Sequence, residues 1–309
     1  MTATAVSPAF TRVLCPTDFS DCSAAAVTYA AALAASYGAR LRLLYVLSPF
    51  PVVAPAADLP IDSRVWLSLE AQGRQDLDAE AARIRRPGVE IETEMRQGDA
   101  VAEILHAADE WQADLVVLGT HGRGGFERLV LGSVAEKVLR KAACAVTTVP
   151  VVAAAGVADG VARIAHVLCA HDGSAASAAG VDYAITLATR TGARLTTMAV
   201  VEALPDGHEF SGDEYARYRA AREAHAREAL DRAVSAEVRV RCDVHDRIVY
   251  GHPAQQILEV AAQERPDLLV LGVRGRGAVD LAVFGSTTNL VVRHAPCPVL
   301  TVRPPATGA

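Results

Sequence analysis

Two glycine-rich segments carry the residue types that could hold a phosphate. The first runs Gly119-Thr-His-Gly-Arg-Gly-Gly-Phe-Glu-Arg-Leu-Val-Leu-Gly-Ser133. The second has Gly272-Val-Arg-Gly275, nine residues, then Gly285-Ser286, which is the same spacing. Each follows an apolar run, Leu115–Leu118 or Leu268–Leu271, and each leads into a helical pattern. A strand, a glycine loop and a helix start together present backbone N–H groups to an anion. Gly119 and Gly122 carry no Cβ, so backbone can come close to a ligand there. Gly132, Ser133 and Val134 form a helix N-terminus, where free N–H groups and the helix dipole favour negative charge, and the Ser133 hydroxyl adds a donor. In each half an aspartate, Asp18 or Asp172, ends the first strand.

The elements that must position these residues repeat at an offset of 153–154: Cys15 with Cys169, Asp18 with Asp172, Val46 with Val200, Gly98 with Gly251, Gly119 with Gly272 and Cys144 with Cys297. In the first half, strands are expected at Arg12–Pro16, Arg40–Leu47, Val89–Met95, Asp114–Leu118 and Ala145–Val149. Helices are expected at Ser23–Tyr37, stopped by Gly38, at about Ser63–Arg85, after an Asp99 cap, and from Ser133. The Glu90, Glu92 and Glu94 face of the third strand reads as solvated. The second half follows the same order, with a strand read within Val238–Tyr250 and Pro253 in the first turn of a helix. Strands alternating with helices imply right-handed βαβ units on a parallel sheet with helices on both faces. The expected organisation is a domain over 1–151, an alanine- and glycine-rich linker over 152–162 and a second domain over 163–309.

Composition excludes several classes. The 309 residues are 51% hydrophobic and 21% charged, with a net charge of −6, which argues against a general nucleic-acid or anionic-membrane surface. No apolar run reaches the roughly 18–20 residues of a membrane span, and the first eleven residues do not read as a signal peptide. The six cysteines form no Cys-x-x-Cys pair and read as free thiols in a reducing cytoplasm. Cys242-x2-His245-x6-His252 invites a metal reading, but on one continuous strand Cys242 and His245 point to opposite faces. The arginines of residues 213–235 read as a salt-bridged face, with Glu223–Arg227 and Glu228–Arg232 in the favourable i to i+4 order. There is no Gly-x4-Gly-Lys-Ser/Thr loop, and the Gly-x-Gly-x-x-Gly fingerprint of a dinucleotide fold is missing after the first strand.

Three features resemble the universal stress protein family in its tandem form. They are the aspartate in Cys15-Pro-Thr-Asp-Phe-Ser20 and Cys169-Ala-His-Asp-Gly-Ser174, the doubled Gly-x2-Gly-x9-Gly-Ser motif, and the closing Arg293-His-Ala-Pro-Cys-Pro-Val-Leu300. The resemblance spans Arg12 to Arg303. It implies two tandem five-stranded parallel α/β domains of strand order 3-2-1-4-5, a Rossmann-like fold of the adenine nucleotide alpha hydrolase type. It also implies binding of ATP, ADP or AMP, with or without Mg²⁺. By the same resemblance the first site would use Pro16, Thr17, Asp18, the backbone of Val46, Gly119, Thr120, His121, Gly122, Arg123, Gly124, Gly132, Ser133 and Val134. The second would use Ala170, Asp172, Val200, Gly272, Val273, Arg274, Gly275, Arg276, Gly285, Ser286 and Thr287. The second motif departs from the first in Val273-Arg274 for Thr120-His121, Ala278 for Gly125 and Thr287-Thr-Asn289 for Val134-Ala-Glu136.

The function these residues imply is a cytoplasmic stress sensor or regulator that binds an adenine nucleotide. No residue is assigned a catalytic or metal-binding role. The alternatives are slow ATP hydrolysis and a nucleotide-independent pairing module, joined within the chain through the fifth strands Ala145–Val149 and Val299–Val302 and between two chains as a homodimer.

Overall fold

A computed structural model describes residues 10–48, 63–120, 131–154, 162–202, 212–273 and 285–304. The chain divides into two compact units at Ala162–Arg163. The first holds β1 (Arg12–Thr17), α1 (Asp21–Tyr37), β2 (Arg40–Leu47), α2 (Ser63–Arg83), β3 (Ile91–Gln97), α3 (Ala100–Glu110), β4 (Leu115–Gly119), α4 (Ser133–Lys141), β5 (Ala145–Val149) and a short α5 (Val151–Ala154). Its strands lie in the order β3-β2-β1-β4-β5, and the pairs β1–β2, β1–β4, β2–β3 and β4–β5 are parallel. The second unit holds β6 (His166–Ala170), α6 (Ala175–Thr191), β7 (Arg194–Val201), α7 (Gly212–Ala233), α8 (Ala236–Arg241), β8 (Val244–Tyr250), α9 (Pro253–Glu264), β9 (Leu268–Gly272), α10 (Ser286–His294) and β10 (Val299–Val302). Its order, β8-β7-β6-β9-β10, is the same topology, again with parallel pairs.

The central strands are covered on both faces. Val13 to Thr17, Leu115 to Leu118 and Val167 to Cys169 are all buried, which is why they read as continuous apolar runs and not as alternation. With right-handed crossovers, α1 and α2 cover one face of the first sheet and α3 and α4 the other. In α1, Ala25, Ala26, Ala30, Ala31, Ala32 and Ala34 are buried, so small side chains bring this helix close to the sheet. Ser20 and Ser174 cap α1 and α6, each accepting from the backbone N–H three residues on. Gly38 and Gly192 end those helices in the left-handed conformation that the sequence predicts.

Three expectations need correction. Of the acidic face, Glu90 is exposed as expected but Glu92 and Glu94 are half-buried, because Arg42 reaches across from β2 to Glu92 at 2.6 Å and to Glu94 at 2.8 Å. The Arg42 guanidinium in turn lies 4.4 Å from the Trp111 ring. Residues 151–154 of the expected linker form α5, which packs against α1. The strand expected within Val238–Tyr250 is β8, and it occupies Val244–Tyr250 and not the first residues of that span. Ser235 caps a short helix instead, and Val240, at 88% exposure, has no sheet face to fill. Glu228 and Arg232 do not pair through their carboxylate; Arg232 Nε donates to the Glu228 carbonyl at 3.3 Å. The Glu223–Arg227 pair forms at 3.2 Å.

The closest approach of helix to sheet is at the tips of β4 and β9. A Cβ on Gly119 would stand 2.6 Å from the Cys22 carbonyl oxygen, and one on Gly272 would stand 1.9 Å from the Ala176 carbonyl oxygen. Both obstacles are backbone of a helix first turn, which cannot swing aside. Gly119→Ala and Gly272→Ala are therefore expected to lower stability by about 1–3 kcal/mol, the larger loss at Gly272. Urea unfolding midpoints of the two variants against the parent protein check this, and an unchanged midpoint would contradict the packing role.

Candidate functional site

The first crevice is assembled where β1 and β4 diverge. The pairing Val13–Leu115 and Leu14–Val116, continued along both strands, sets Asp18 level with Thr120. Gly132 N–H donates to the Thr120 carbonyl at 2.9 Å, which ties the start of α4 to the tip of β4. Gly132 is the N-cap of α4 and offers no side-chain cap, so the first-turn N–H groups of that helix have no capping oxygen from their own cap residue. Ser133 is exposed there and Val134 half-buried.

On the β1 side, Thr17 is buried and its hydroxyl donates to Glu80 of α2 at 2.8 Å. Asp18 Oδ1 accepts from Ser20 N at 3.1 Å and from the Ser20 hydroxyl at 2.6 Å, and Asp18 N donates to the Ser23 hydroxyl at 3.4 Å. Asp18 is thus not the helix cap; it holds the capping serine. Val46 sits one strand over. Arg40 N bonds Thr11 of β1's lead-in, whereas Leu41 N and the Leu47 carbonyl bond the β3 side. Alternation along the strand then turns the backbone of Val46 toward β1, just past its last paired residue, Thr17. Phe19 N, the next donor in line, goes to the Thr17 hydroxyl at 3.1 Å instead.

The second crevice repeats the plan with different chemistry. Ala170 pairs with Leu271, which sets Asp172 level with Val273. Gly285 caps α10 without a side-chain bond, and Ser286 and Thr287 open that helix. Asp172 Oδ1 accepts from Ser174 N at 2.9 Å and from the Ser177 hydroxyl at 2.6 Å. Burial raises the Asp172 carboxyl, but the bonds from Ser174 and Ser177 and the nearby His171 outweigh it and hold the group below its ordinary range. His171 occupies the place of Thr17, and its Nδ1 lies 2.9 Å from the Ser177 hydroxyl. Val200, the counterpart of Val46, is half-buried in β7 and pairs with Val249.

In each half the structure brings together the strand-end aspartate, the valine backbone of the neighbouring strand, the first glycine and the uncapped helix start. Pro16, Thr17 and Ala170 lie within β1 and β6. His121, Gly122, Arg123, Gly124, Arg274, Gly275 and Arg276 lie outside the described residues. Gly119 and Gly272 have a reason to lack a side chain that is independent of any ligand, namely the helix turn packed on them. Glu80, Ser23 and Ser177 were not singled out from sequence. The serines had a signal, since each stands five residues after its aspartate in both repeats. Glu80 had none, because its partner is sixty-three residues away. Cys242 caps the end of α8 next to Thr189, and His245 faces Asp243 at 2.8 Å.

What these groups can do is hold a ligand: anion at one end, hydroxyl or amine donors at the other. The class so defined is a duplicated doubly wound α/β domain with a crevice at each switch point of its strand order. The sequence profile of the Universal stress protein family matches residues 9–150 and 164–303. A universal stress protein of Mycolicibacterium smegmatis is 30% identical over 303 residues, covering 94% of this chain and 97% of that protein. One from Methanocaldococcus jannaschii is 36% identical over 143 residues, covering 45% of this chain and 82% of its own length. The crystal structure of a universal stress protein from Archaeoglobus fulgidus shares the fold with a TM-score of 0.67 at 24% identity, over 94% of this chain and 98% of that one. The chain belongs to the universal stress protein family.

All six cysteines are free. Burial raises the Cys15 thiol well above its ordinary range and pushes Cys169 and Cys297 up to about 12. A thiol reagent at pH 8 is expected to label Cys22, Cys144 and Cys242 first, and Cys15, Cys169 and Cys297 only after unfolding, as peptide mapping would show. The depressed Asp172 carboxyl contributes stability that is present above its unfolded value of about 3.9 and is lost as pH falls through the lower folded value. Asp172→Asn, which keeps the Oδ1 acceptor, should flatten acid unfolding below about pH 4 in a stability–pH profile.

Proposed function

We propose that this chain binds an adenine nucleotide in each crevice and acts as a cytoplasmic stress sensor or regulator through the bound and free states. The observation that carries this reading is the bond from Gly132 N–H to the Thr120 carbonyl. It draws an uncapped helix start to the tip of β4, level with Asp18 on the neighbouring strand. Phosphates would take the N–H groups and hydroxyl at Ser133, with Gly132 and Val134, and at Gly285, Ser286 and Thr287 in the second crevice. Asp18 and Asp172 would accept from ribose or adenine, and the Val46 and Val200 backbones would meet the base. From β2 across β1 to β4 is about two strand spacings, roughly 10 Å, a span that suits a nucleoside and its first phosphates. Mg²⁺ would enter on the nucleotide's own phosphate oxygens. The free thiols fit a reducing compartment. Among the described residues no helix is long and apolar enough to cross a membrane.

A second reading has an observation of its own. Because Gly119 and Gly272 are needed for helix packing, the motif could serve the fold alone and leave the chain a pairing module. Purification without added ligand, followed by denaturation and mass spectrometry of released nucleotides, separates the two. One adenylate per crevice is expected, and Asp18→Ala and Asp172→Ala should each weaken one site by about tenfold to a hundredfold in titration calorimetry. No adenylate released, and none bound at millimolar ATP, would leave the pairing module standing.

A further inference from the structure

The two crevices differ at the residue before the aspartate. In the first, Thr17 donates to the buried Glu80. At the repeat offset of 153, Glu80 corresponds to Ala233, in the register that matches the buried Leu77 with Leu230. The second half therefore has no carboxylate there and fills the space beside α7 with an imidazole. His171 is buried, at 7% exposure, and its backbone N–H donates to the Met198 carbonyl, which locks it at the end of β6.

The Ser177 hydroxyl is the hub. It lies 2.9 Å from His171 Nδ1, 2.6 Å from Asp172 Oδ1 and 3.0 Å from the Ser174 carbonyl oxygen. One hydroxyl proton cannot serve three acceptors at once. When Nδ1 carries no proton, His171 competes with Asp172 for it. When Nδ1 is protonated, the imidazolium donates to Ser177, the serine proton goes wholly to Asp172, and a positive charge stands beside the carboxylate. Among the described residues the first crevice has no imidazole at this place: Thr17 stands there, with its hydroxyl 2.8 Å from Glu80 and 3.2 Å from the Ser23 hydroxyl.

We propose that the strand-end aspartate of the second crevice is under proton control and that of the first is not: protonation of His171, relayed through Ser177 to Asp172, weakens the hold on the ligand at the second crevice. This rests on the nucleotide reading above. Two effects act in the same direction. The relay and the adjacent charge make Asp172 a poorer acceptor for a ribose hydroxyl or an amine. Ligand binding also removes water from a group whose charged form burial already disfavours. The phosphates, at the α10 end of the crevice, lie about one strand spacing, roughly 5 Å, across from the end of β6. Their attraction to the imidazolium opposes the two effects at Asp172 and is reduced by water at the open crevice.

The charged groups that act on His171 are Asp172, next to it in the chain, and Arg232 of α7; α6 contributes only the Ser177 hydroxyl and β7 only a backbone carbonyl. Burial lowers the imidazole below its ordinary range, Asp172 and the Ser177 contact draw it back up, and Arg232 lowers it again. A lowered folded value favours the neutral ring near pH 7, and acidification charges it. His166, the other buried histidine of this strand, stands at its far end against Thr196 and Glu264.

The test uses full-length chains with one crevice disabled. Asp18→Ala reports the second crevice and Asp172→Ala the first, each titrated with ATP by calorimetry from pH 7.5 to 5.5. The second-crevice dissociation constant should rise more over that range than the first, and most steeply toward pH 5.5, since a required deprotonation weakens binding only below its midpoint and burial lowers that midpoint. The first crevice, titrated with His121→Gln so that its loop carries no histidine, corrects for titration of ATP itself. His171→Thr, which copies the first half, should remove the difference, and His171→Gln serves where the threonine variant folds poorly. In the ligand-free parent, the amide resonances of Asp172 and Ser174 should shift with the titration of the His171 ring and lose that shift in the His171 variants. Parallel pH profiles in the two crevices, or amides that do not follow the ring, overturn the inference while leaving nucleotide binding intact. Absence of ATP binding at pH 7.5 in the unmodified chain overturns both.

Discussion

The fold depends on one close contact repeated in each half: the first turn of α1 or α6 against the last residue of β4 or β9. The Cβ positions of Gly119 and Gly272 are already occupied by helix carbonyls. That approach requires β1 to stop abruptly, because its chain must turn into the helix within a few residues. The stop is made by a small polar knot, Asp18–Ser20–Ser23 in one half and Asp172–Ser174–Ser177 in the other. Aspartate holds the capping serine, and the cap satisfies a first-turn N–H that would otherwise be an orphan. The same turn leaves the carboxylate at the switch point of the strand order, one strand from an uncapped helix start. Packing and ligand geometry therefore share one device, and no separate architecture is needed to make a crevice.

The duplication lets each half act as a control on the other. Phe19 and Gly173 hold the same position, both with positive φ, at 60° and 82°. Glycine takes that conformation freely; a phenylalanine there is strained. The Phe19 ring lies 4.7 Å from Tyr45, a contact that offsets the strain by packing over the β1–β2 boundary. Around the same turn, Thr17 and Glu80 give way to His171 and Ala233. The first half is thus more tightly furnished and more acidic at this end, and the second carries a titratable base. Two crevices with one topology are chemically unequal.

Most of the fold was legible from sequence because its signals are local. Apolar runs of five or six residues, serine caps and glycine stops mark the elements, and the offset of the repeat fixes their order twice over. The misreadings have local causes too. Residues 151–154 look like linker, yet alanine and valine suffice for a turn that leans on α1. The site was legible where it repeats and hidden where it depends on distant contact. Asp18, Asp172 and the glycines stand out by spacing, whereas Glu80 meets Thr17 only through the packing of α2 across sixty-three residues.

The glycine motif itself separates into parts with different physical reasons. Gly119 is small because a helix lies on it. Gly132 leaves a helix without a side-chain cap and gives its N–H to the Thr120 carbonyl, which closes the base of the loop between them. Only the second role bears on an anion, because only it leaves donors directed into the crevice. A motif match alone cannot distinguish these roles, since both are satisfied by the same letter at a fixed spacing. The stronger pointer to a ligand is therefore the convergence on one crevice of three features: an uncapped helix start, a carboxylate held by serines, and a strand backbone turned toward a neighbour that has ended.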